Sequence, residues 1–303
     1  SYFLIYHIGK TGIEKFYESE LRGKDGIVQL EVDAYGQEKK ILFKKDKLKG
    51  NDVVLTIDSA LQYKIEEILQ KHLVENEKSR ASVIALNPQN GEVLAMVSLP
   101  TFNNNDFSQG IDAENYKLLL ENEDKPLFFR SINGEYPSGS TFKMIVAAAA
   151  LQEGIITKRT TIGSYGGIRI GQWFFPDWKA GGHGITTVKK ALAESVNTFF
   201  YVIGGGHDSI DGLGVNKLAY YAESFGLGKE LHIDLPQEKS GFVPSPEWKK
   251  EVKNERWYIG DTYHFSIGQG DLLVTPLQVA HYTAAIANGG IRYRPHFIKE
   301  IIS

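Results

Sequence analysis

The chain has 303 residues, 42% of them apolar and 23% charged, the mix of a folded globular protein rather than a disordered, collagenous or coiled-coil one. With 34 basic against 37 acidic residues and a formal net charge of −3, no overall field draws it to nucleic acid. Cysteine is absent, which excludes disulfides, thiolate metal sites and a cysteine nucleophile.

The sequence opens at Ser1 with a short apolar stretch, 2–6, and no initiator Met; it reads as a fragment, with room for an anchor or signal upstream. Residues 1–52 are rich in β-branched and charged residues, with turn signals at 23–26 and 35–36, so hairpins forming a small β-rich lead-in are expected. Six lysines between Lys39 and Lys49 read as solvated strands guarding a sheet edge. Asp58 or Ser59 can cap a helix carrying Leu61, Ile65, Ile68, Leu69 and Leu73 at helical spacing. Residues 82–86 and 92–98 are apolar runs joined by the turn formers 87–91, which predicts a hairpin. The alanine-rich stretch 141–152 is almost wholly apolar with Gly154 beyond it, marking a buried helix. Thr275, Pro276 and Gly289 bound a last helix. The longest apolar runs, 144–151 and 198–204, are too short for a membrane span of roughly 18–20 residues. Strands before and after a helical middle predict an α+β domain over 53–303.

Two constellations can carry chemistry. Ser140 and Lys143 lie three residues apart, so on a helix they share one face. A turn at 136–139 would set Ser140 at the helix N-terminus, where the dipole favours developing negative charge, and burial would lower the lysine pKa towards that of a usable base. With 18 serines and 26 lysines in the chain, roughly one such spacing is expected by chance, so the motif alone is weak; Ser140 as a cap and Lys143 as a surface residue is the competing reading. Ser195-Val196-Asn197 stands between a helical segment, 187–194, and the aromatic run 198–201. Residues at i and i+2 face together only in extended or turn backbone. The triplet would then be a loop offering a hydroxyl for proton relay and an amide for a substrate carbonyl, and ordinary helix capping competes with that. Ser131-Ile132-Asn133 shows how readily the pattern arises.

Ser-x-x-Lys followed by a Ser-x-Asn triplet resembles the penicillin-binding proteins. Residues 136–143, Gly182-His183-Gly184 with 193–201, Ser266-Ile267-Gly268-Gln269-Gly270, 274–278 and 287–290 are similar to the class B members of that family. The stretch from Ile8 to Gly23 and Asp177-Trp178 ahead of His183 look most like the penicillin-binding protein 2 type, which builds the cylindrical wall of rods. The resemblance implies a penicillin-binding/serine β-lactamase-like transpeptidase domain, an antiparallel sheet flanked by helices, over 53–303, preceded at 1–52 by part of an N-terminal pedestal. It also implies a peptidoglycan D,D-transpeptidase working through a serine acyl-enzyme on stem peptides, inhibited by β-lactam antibiotics, with Ser140 as nucleophile, Lys143 as base, Ser195 as proton relay and Asn197 as substrate amide holder. Implied partners are a rod-shape scaffold protein and a membrane glycosyltransferase, and the implied location is the bacterial inner membrane with a periplasmic catalytic domain. No cofactor is expected.

Two features depart from the family pattern. Its Lys-Thr-Gly, expected on an edge strand late in the domain, is not found there; Lys10-Thr11-Gly12 precedes the nucleophile and reads as a decoy, so the domain is expected to lack that strand. Some relatives hold zinc through an Asp and a His spaced as Asp177 and His183 are, plus a cysteine; with no cysteine here, no metal is expected. A D,D-carboxypeptidase or serine β-lactamase would share the same residues and needs a base for water, for which Glu238 and Glu247 have no distinguishing spacing. A non-catalytic scaffold fragment binding a wall-elongation partner is the alternative from another class.

Overall fold

The lead-in departs from the expected hairpins at its start. A computed structural model describes residues 8–108 and 110–303, and its first elements are two short helices, α1 (Gly12–Phe16) and α2 (Glu18–Leu21). Each spans little more than one turn, too few residues for periodicity to register. The apolar stretch 2–6 lies outside the described residues. The expected hairpin follows as β1 (Ile27–Val32) and β2 (Glu38–Lys45), antiparallel and turning at Asp33–Gln37. All eight residues of β2 are exposed, so its lysines stand in solvent, together with the apolar Ile41, Leu42 and Phe43.

β3 (Asp52–Leu55) leads into α3 (Ser59–Glu75), capped by the Asp58 carboxylate, which accepts from the N–H groups of Ala60 and Leu61. The apolar positions of α3 are only partly covered: Gln62 bonds both backbone groups of Met96, while Ile68 stays about half exposed. β4 (Ala81–Leu86) and β5 (Val93–Leu99) form the expected hairpin, with Val83 opposite Val97. α4 (Ala113–Glu121) and α5 (Arg130–Asn133) then lead to a single 3₁₀ turn, Gly139–Phe142, and α6 (Lys143–Gln152). The buried helix therefore starts two residues later than its apolar run suggests, because the turn occupies the first positions.

Four short strands, β6 (Thr161–Ser164), β7 (Gly167–Ile170), β8 (Trp173–Pro176) and β9 (Gly184–Thr187), pair antiparallel as β6 with β9 and β7 with β8. Five helices follow: α7 (Val188–Ala193), α8 (Asn197–Gly205), α9 (Gly214–Ser224), α10 (Pro246–Lys253) and α11 (Ile259–Ser266). α12 (Pro276–Ala287) has the capping box formed by Thr275 and Gln278, with Pro276 in its first turn. β10 (Ile298–Ile302) closes the chain by pairing antiparallel with β3.

Two apolar cores organise these elements. The larger joins α6, α8, α9 and α11 around Phe142, Phe199, Phe200, Tyr263 and Phe265, all essentially buried; each such side chain contributes about 1.5–3 kcal/mol on leaving water. Close approach of α8 to α11 depends on Gly204, where a Cβ would stand 2.3 Å from that of Ser266. The smaller core gathers Val93, Met96, Ile132, Leu277 and Phe297, with Ile13 of α1 packed on it. Buried Asp234 ties the two ends of the chain together, accepting from the N–H groups of Phe297 and Ile298 and from the Tyr17 hydroxyl at 2.7 Å.

Candidate active site

Phe142 anchors the turn that presents Ser140. Its ring is fully buried and stacks on Phe265 at 5.4 Å, while Ser140, two residues before it, stays at the surface. Gly139 N–H donates to Gly268 O at 2.8 Å, so the 266–270 segment braces the turn from behind. Backbone contact this close has no room for a side chain: a Cβ on Gly268 would lie 2.0 Å from Gly139 O. Ser140 makes no capping bond. Its Oγ accepts from Ser195 Oγ at 2.8 Å.

Lys143 is not a surface lysine. Only 1% of it is exposed, and its Nζ donates to Ser195 O at 2.8 Å, Ser195 Oγ at 3.1 Å and Asn197 Oδ1 at 2.6 Å. Three donors on an ammonium are thus matched by three acceptors. The Phe200 ring lies 5.4 Å from the same nitrogen. Burial lowers the Lys143 pKa to about 8, against the opposing pull of the Asp177 charge. Ser140 and Lys143 share a face, as their spacing implies, yet no hydrogen bond joins them directly; the Ser195 hydroxyl stands between. The arrangement can pass a proton from Ser140 through Ser195 to a neutral Lys143 amine.

The Ser195–Asn197 triplet is a loop between α7 and α8, and neither side chain caps a helix. Ser195 has φ +53°, a left-handed conformation that turns both its carbonyl and its hydroxyl to Lys143. The look-alike triplet does neither: Ser131 pairs with Ser82 Oγ at 2.8 Å, and Asn133 donates to Gln237 O.

Sequence reasoning singled out Asp177 and His183 as metal-like residues and missed their role beneath the triplet. Asp177 accepts five hydrogen bonds, from the N–H groups of Trp178, Asn197 and Thr198 and from the hydroxyls of Ser164 and Thr198. Burial raises its pKa, but these bonds outweigh that and hold it below the usual range. His183 Nδ1 lies 2.7 Å from Glu194 Oε2, and its Nε2 faces Asp177 Oδ1 at 3.6 Å. Two zinc ligands could share such a separation, and Nε2 has no hydrogen-bond partner among the described residues. The donor set nevertheless does not fit a zinc ion. A carboxylate has about four lone-pair sites, all engaged here by protein donors, and there is no thiolate to complete a closed site. Glu194 directly precedes the triplet, and that adjacency was its one signal in the sequence.

Other candidates lie elsewhere. Glu238 is buried and accepts from the N–H groups of Leu231 and Ile233; Glu247 is exposed in the first turn of α10. Lys10 is exposed just ahead of α1, and among the described residues no side-chain hydrogen bond links Lys10, Thr11 or Gly12 to Ser140, Lys143, Ser195 or Asn197.

Comparison with known proteins places these residues in context. Residues 81–303 match the family described as penicillin binding protein transpeptidase domain, and residues 3–55 match the penicillin-binding protein dimerisation domain. The peptidoglycan D,D-transpeptidase MrdA of Acinetobacter baumannii is 37% identical over 294 residues, 96% of this chain and 42% of the relative. That of Escherichia coli K12 is 37% identical over 305 residues, covering 98% and 45%. The chain thus spans less than half the length of these curated relatives. Among solved structures, penicillin-binding protein 2 of Helicobacter pylori in complex with MreC superposes with a TM-score of 0.85 at 35% identity, covering 98% of this chain and 54% of that one. Penicillin-binding protein 2 of Pseudomonas aeruginosa in complex with WCK 5153 gives 0.82 at 35% identity, covering 98% and 60%.

Proposed function

The chain belongs to the penicillin-binding protein transpeptidase family, and from that premise we propose that it is a peptidoglycan D,D-transpeptidase of the cell-elongation type, acting through an acyl-enzyme on Ser140. The observation that carries this reading is the hydrogen-bonded chain from a buried lysine of lowered pKa through Ser195 Oγ to the exposed Ser140 Oγ.

With Lys143 as the free amine, the hydroxyls of the chain reverse their donation. Ser140 Oγ bonds to the carbonyl carbon of the penultimate D-alanine of a stem peptide while its proton moves to Ser195 Oγ, and the Ser195 proton moves to Lys143 Nζ. The Ser140 N–H, at the start of the turn where no intrahelical acceptor exists, donates to the developing oxyanion. As the C–N bond breaks, the ammonium returns a proton through Ser195 to the departing D-alanine nitrogen, leaving the acyl-enzyme. The amine of a neighbouring stem then attacks the ester carbonyl, gives up its proton by the same route and releases Ser140. Asn197 holds Lys143 in place through Oδ1, and its amide nitrogen is available to a substrate carbonyl. A β-lactam enters at the first step and stops at the acyl-enzyme. Glu238, engaged with backbone N–H groups, and Glu247, exposed on α10, do not bond to Ser140, Lys143, Ser195 or Asn197, so neither is placed to activate a water at the acyl-enzyme.

Exposed apolar residues on the β1–β2 hairpin, among them Val28, Ile41 and Phe43, support a scaffold-protein contact for the lead-in; the H. pylori relative is solved in complex with MreC. A membrane glycosyltransferase is the second partner. The location proposed is the periplasmic face of an inner membrane; no helix among the described residues is long and apolar enough to cross one.

The test is intact-mass spectrometry after incubation with penicillin. A persistent adduct that maps to Ser140 and disappears in a folded Ser140→Ala variant is expected. An unmodified parent would favour the scaffold reading, and an adduct that hydrolyses rapidly would favour a carboxypeptidase or β-lactamase.

A further inference from the structure

We propose that Asp177, backed by His183 and Glu194, is a positioning unit that holds the Ser195–Asn197 loop on Lys143 through hydrogen bonds alone, without a metal ion. The inference rests on the roles assigned above to Ser140, Lys143, Ser195 and Asn197.

α8 begins at Asn197 with no capping side chain of its own. Asp177 takes that place from across the fold: its carboxylate accepts the N–H groups of Asn197 at 3.3 Å and Thr198 at 2.9 Å, and the Thr198 hydroxyl at 2.6 Å. A negative charge at a helix N-terminus is favourable, and here it also fixes the backbone from which Asn197 reaches Lys143. The other flank of the loop is fixed by Glu194, whose carboxylate meets His183 Nδ1 and whose carbonyl accepts the Trp178 indole N–H. His183 is itself held by bonds from its N–H to Ser164 O and Oγ. Both sides of Ser195 are thus tied to one short stretch, 177–183. That residue has a left-handed backbone which a non-glycine side chain disfavours, so it keeps its conformation because its flanks are held. A zinc ion would need an open lone pair on the carboxylate, and Asp177 has none left.

The experiment follows penicillin acylation, separating initial binding from the chemical step, in the parent and in Asp177→Asn, Glu194→Ala and Glu194→Gln. Hydrogen exchange of peptides spanning Ser195 to Thr198 and the zinc content of each purified protein are measured alongside. Misplacement by about an ångström can cost on the order of 100-fold in rate. Asp177→Asn is therefore expected to slow the chemical step by about that factor with initial binding and global fold unchanged, and to speed exchange in that peptide. Glu194→Gln, which keeps an acceptor for His183, should recover most of the rate that Glu194→Ala loses. Parent-like acylation and exchange in folded Asp177→Asn would overturn the proposal, as would stoichiometric zinc whose removal slows the parent. If the parent is not acylated at all, the Ser140 reading fails; the exchange and zinc measurements then still decide whether Asp177 positions the loop without metal.

Discussion

Titrating Lys143 should change the acylation rate in a calculable way. Burial brings its pKa from 10.5 to about 8, partly opposed by Asp177, and only the free amine can take the Ser140 proton. With that value, about a tenth of the molecules carry the amine at pH 7, half at pH 8 and about nine-tenths at pH 9, so the rate should rise about tenfold from pH 7 to 9 and then level. Stability should move in the same direction. Below pH 8 the lysine is charged both folded and unfolded, and the cost of burying the ammonium is present in full. Between about 8 and 10.5 the unfolded chain binds the extra proton, so unfolding free energy rises with pH, by an amount of order 3 kcal/mol at most, and is level above. Second-order acylation by a fluorescent penicillin, measured by stopped flow from pH 6.5 to 9.5, reads the first effect, and urea unfolding over pH 7.5 to 10.5 reads the second. A flat acylation profile between pH 7 and 9 in folded protein would refute the assignment of Lys143 as the proton acceptor.

Gly268→Ala places a Cβ against Gly139 O at φ +73°; the left-handed backbone alone costs an alanine about 1–2 kcal/mol, and the collision must displace the Ser140 turn, so both melting temperature and acylation should fall. A variant that melts and acylates like the parent would show that the turn does not depend on this contact. Lys10→Ala should acylate at the parental rate; loss of acylation in a folded protein would make Lys10-Thr11-Gly12 the working third motif. Tyr17→Phe removes the hydroxyl donated to Asp234 and should lower unfolding free energy by about 1.5–3 kcal/mol, read by urea denaturation, with acylation unchanged; an unaltered midpoint would mean that the bond contributes nothing.

What could be read in advance divides along physical lines. Local chemistry was legible: Asp58 and Thr275 as caps, the turn formers at 87–91, and the three-residue spacing that puts Ser140 and Lys143 on one face. The burial of Lys143 was only half legible, since a lysine in the first turn of so apolar a helix can still snorkel to the surface. Contacts between distant segments were not. Nothing local to Ser195 says that its hydroxyl will sit between serine and lysine, or that Asp177, twenty residues from Asn197, will cap α8 in place of the absent local residue. The helices at 12–21 were hidden for a different reason, being shorter than the window in which a period of 3.6 can be counted.

The pairing of β3 with β10 joins Leu55 to Ile298, about 240 residues further on. Bringing together the ends of a free chain of that length costs about 5 kcal/mol of entropy. A ladder of four residue pairs, at a net of about 1 kcal/mol per hydrogen bond, does not outweigh that by itself. The two apolar cores must therefore assemble first and carry the strands to within reach, which makes this ladder a late event in folding. With few bonds to break, the outer end of the ladder, Ile301 and Ile302 against Val53 and Asp52, opens at low cost once the protein is folded, so its amides should exchange well before either core does.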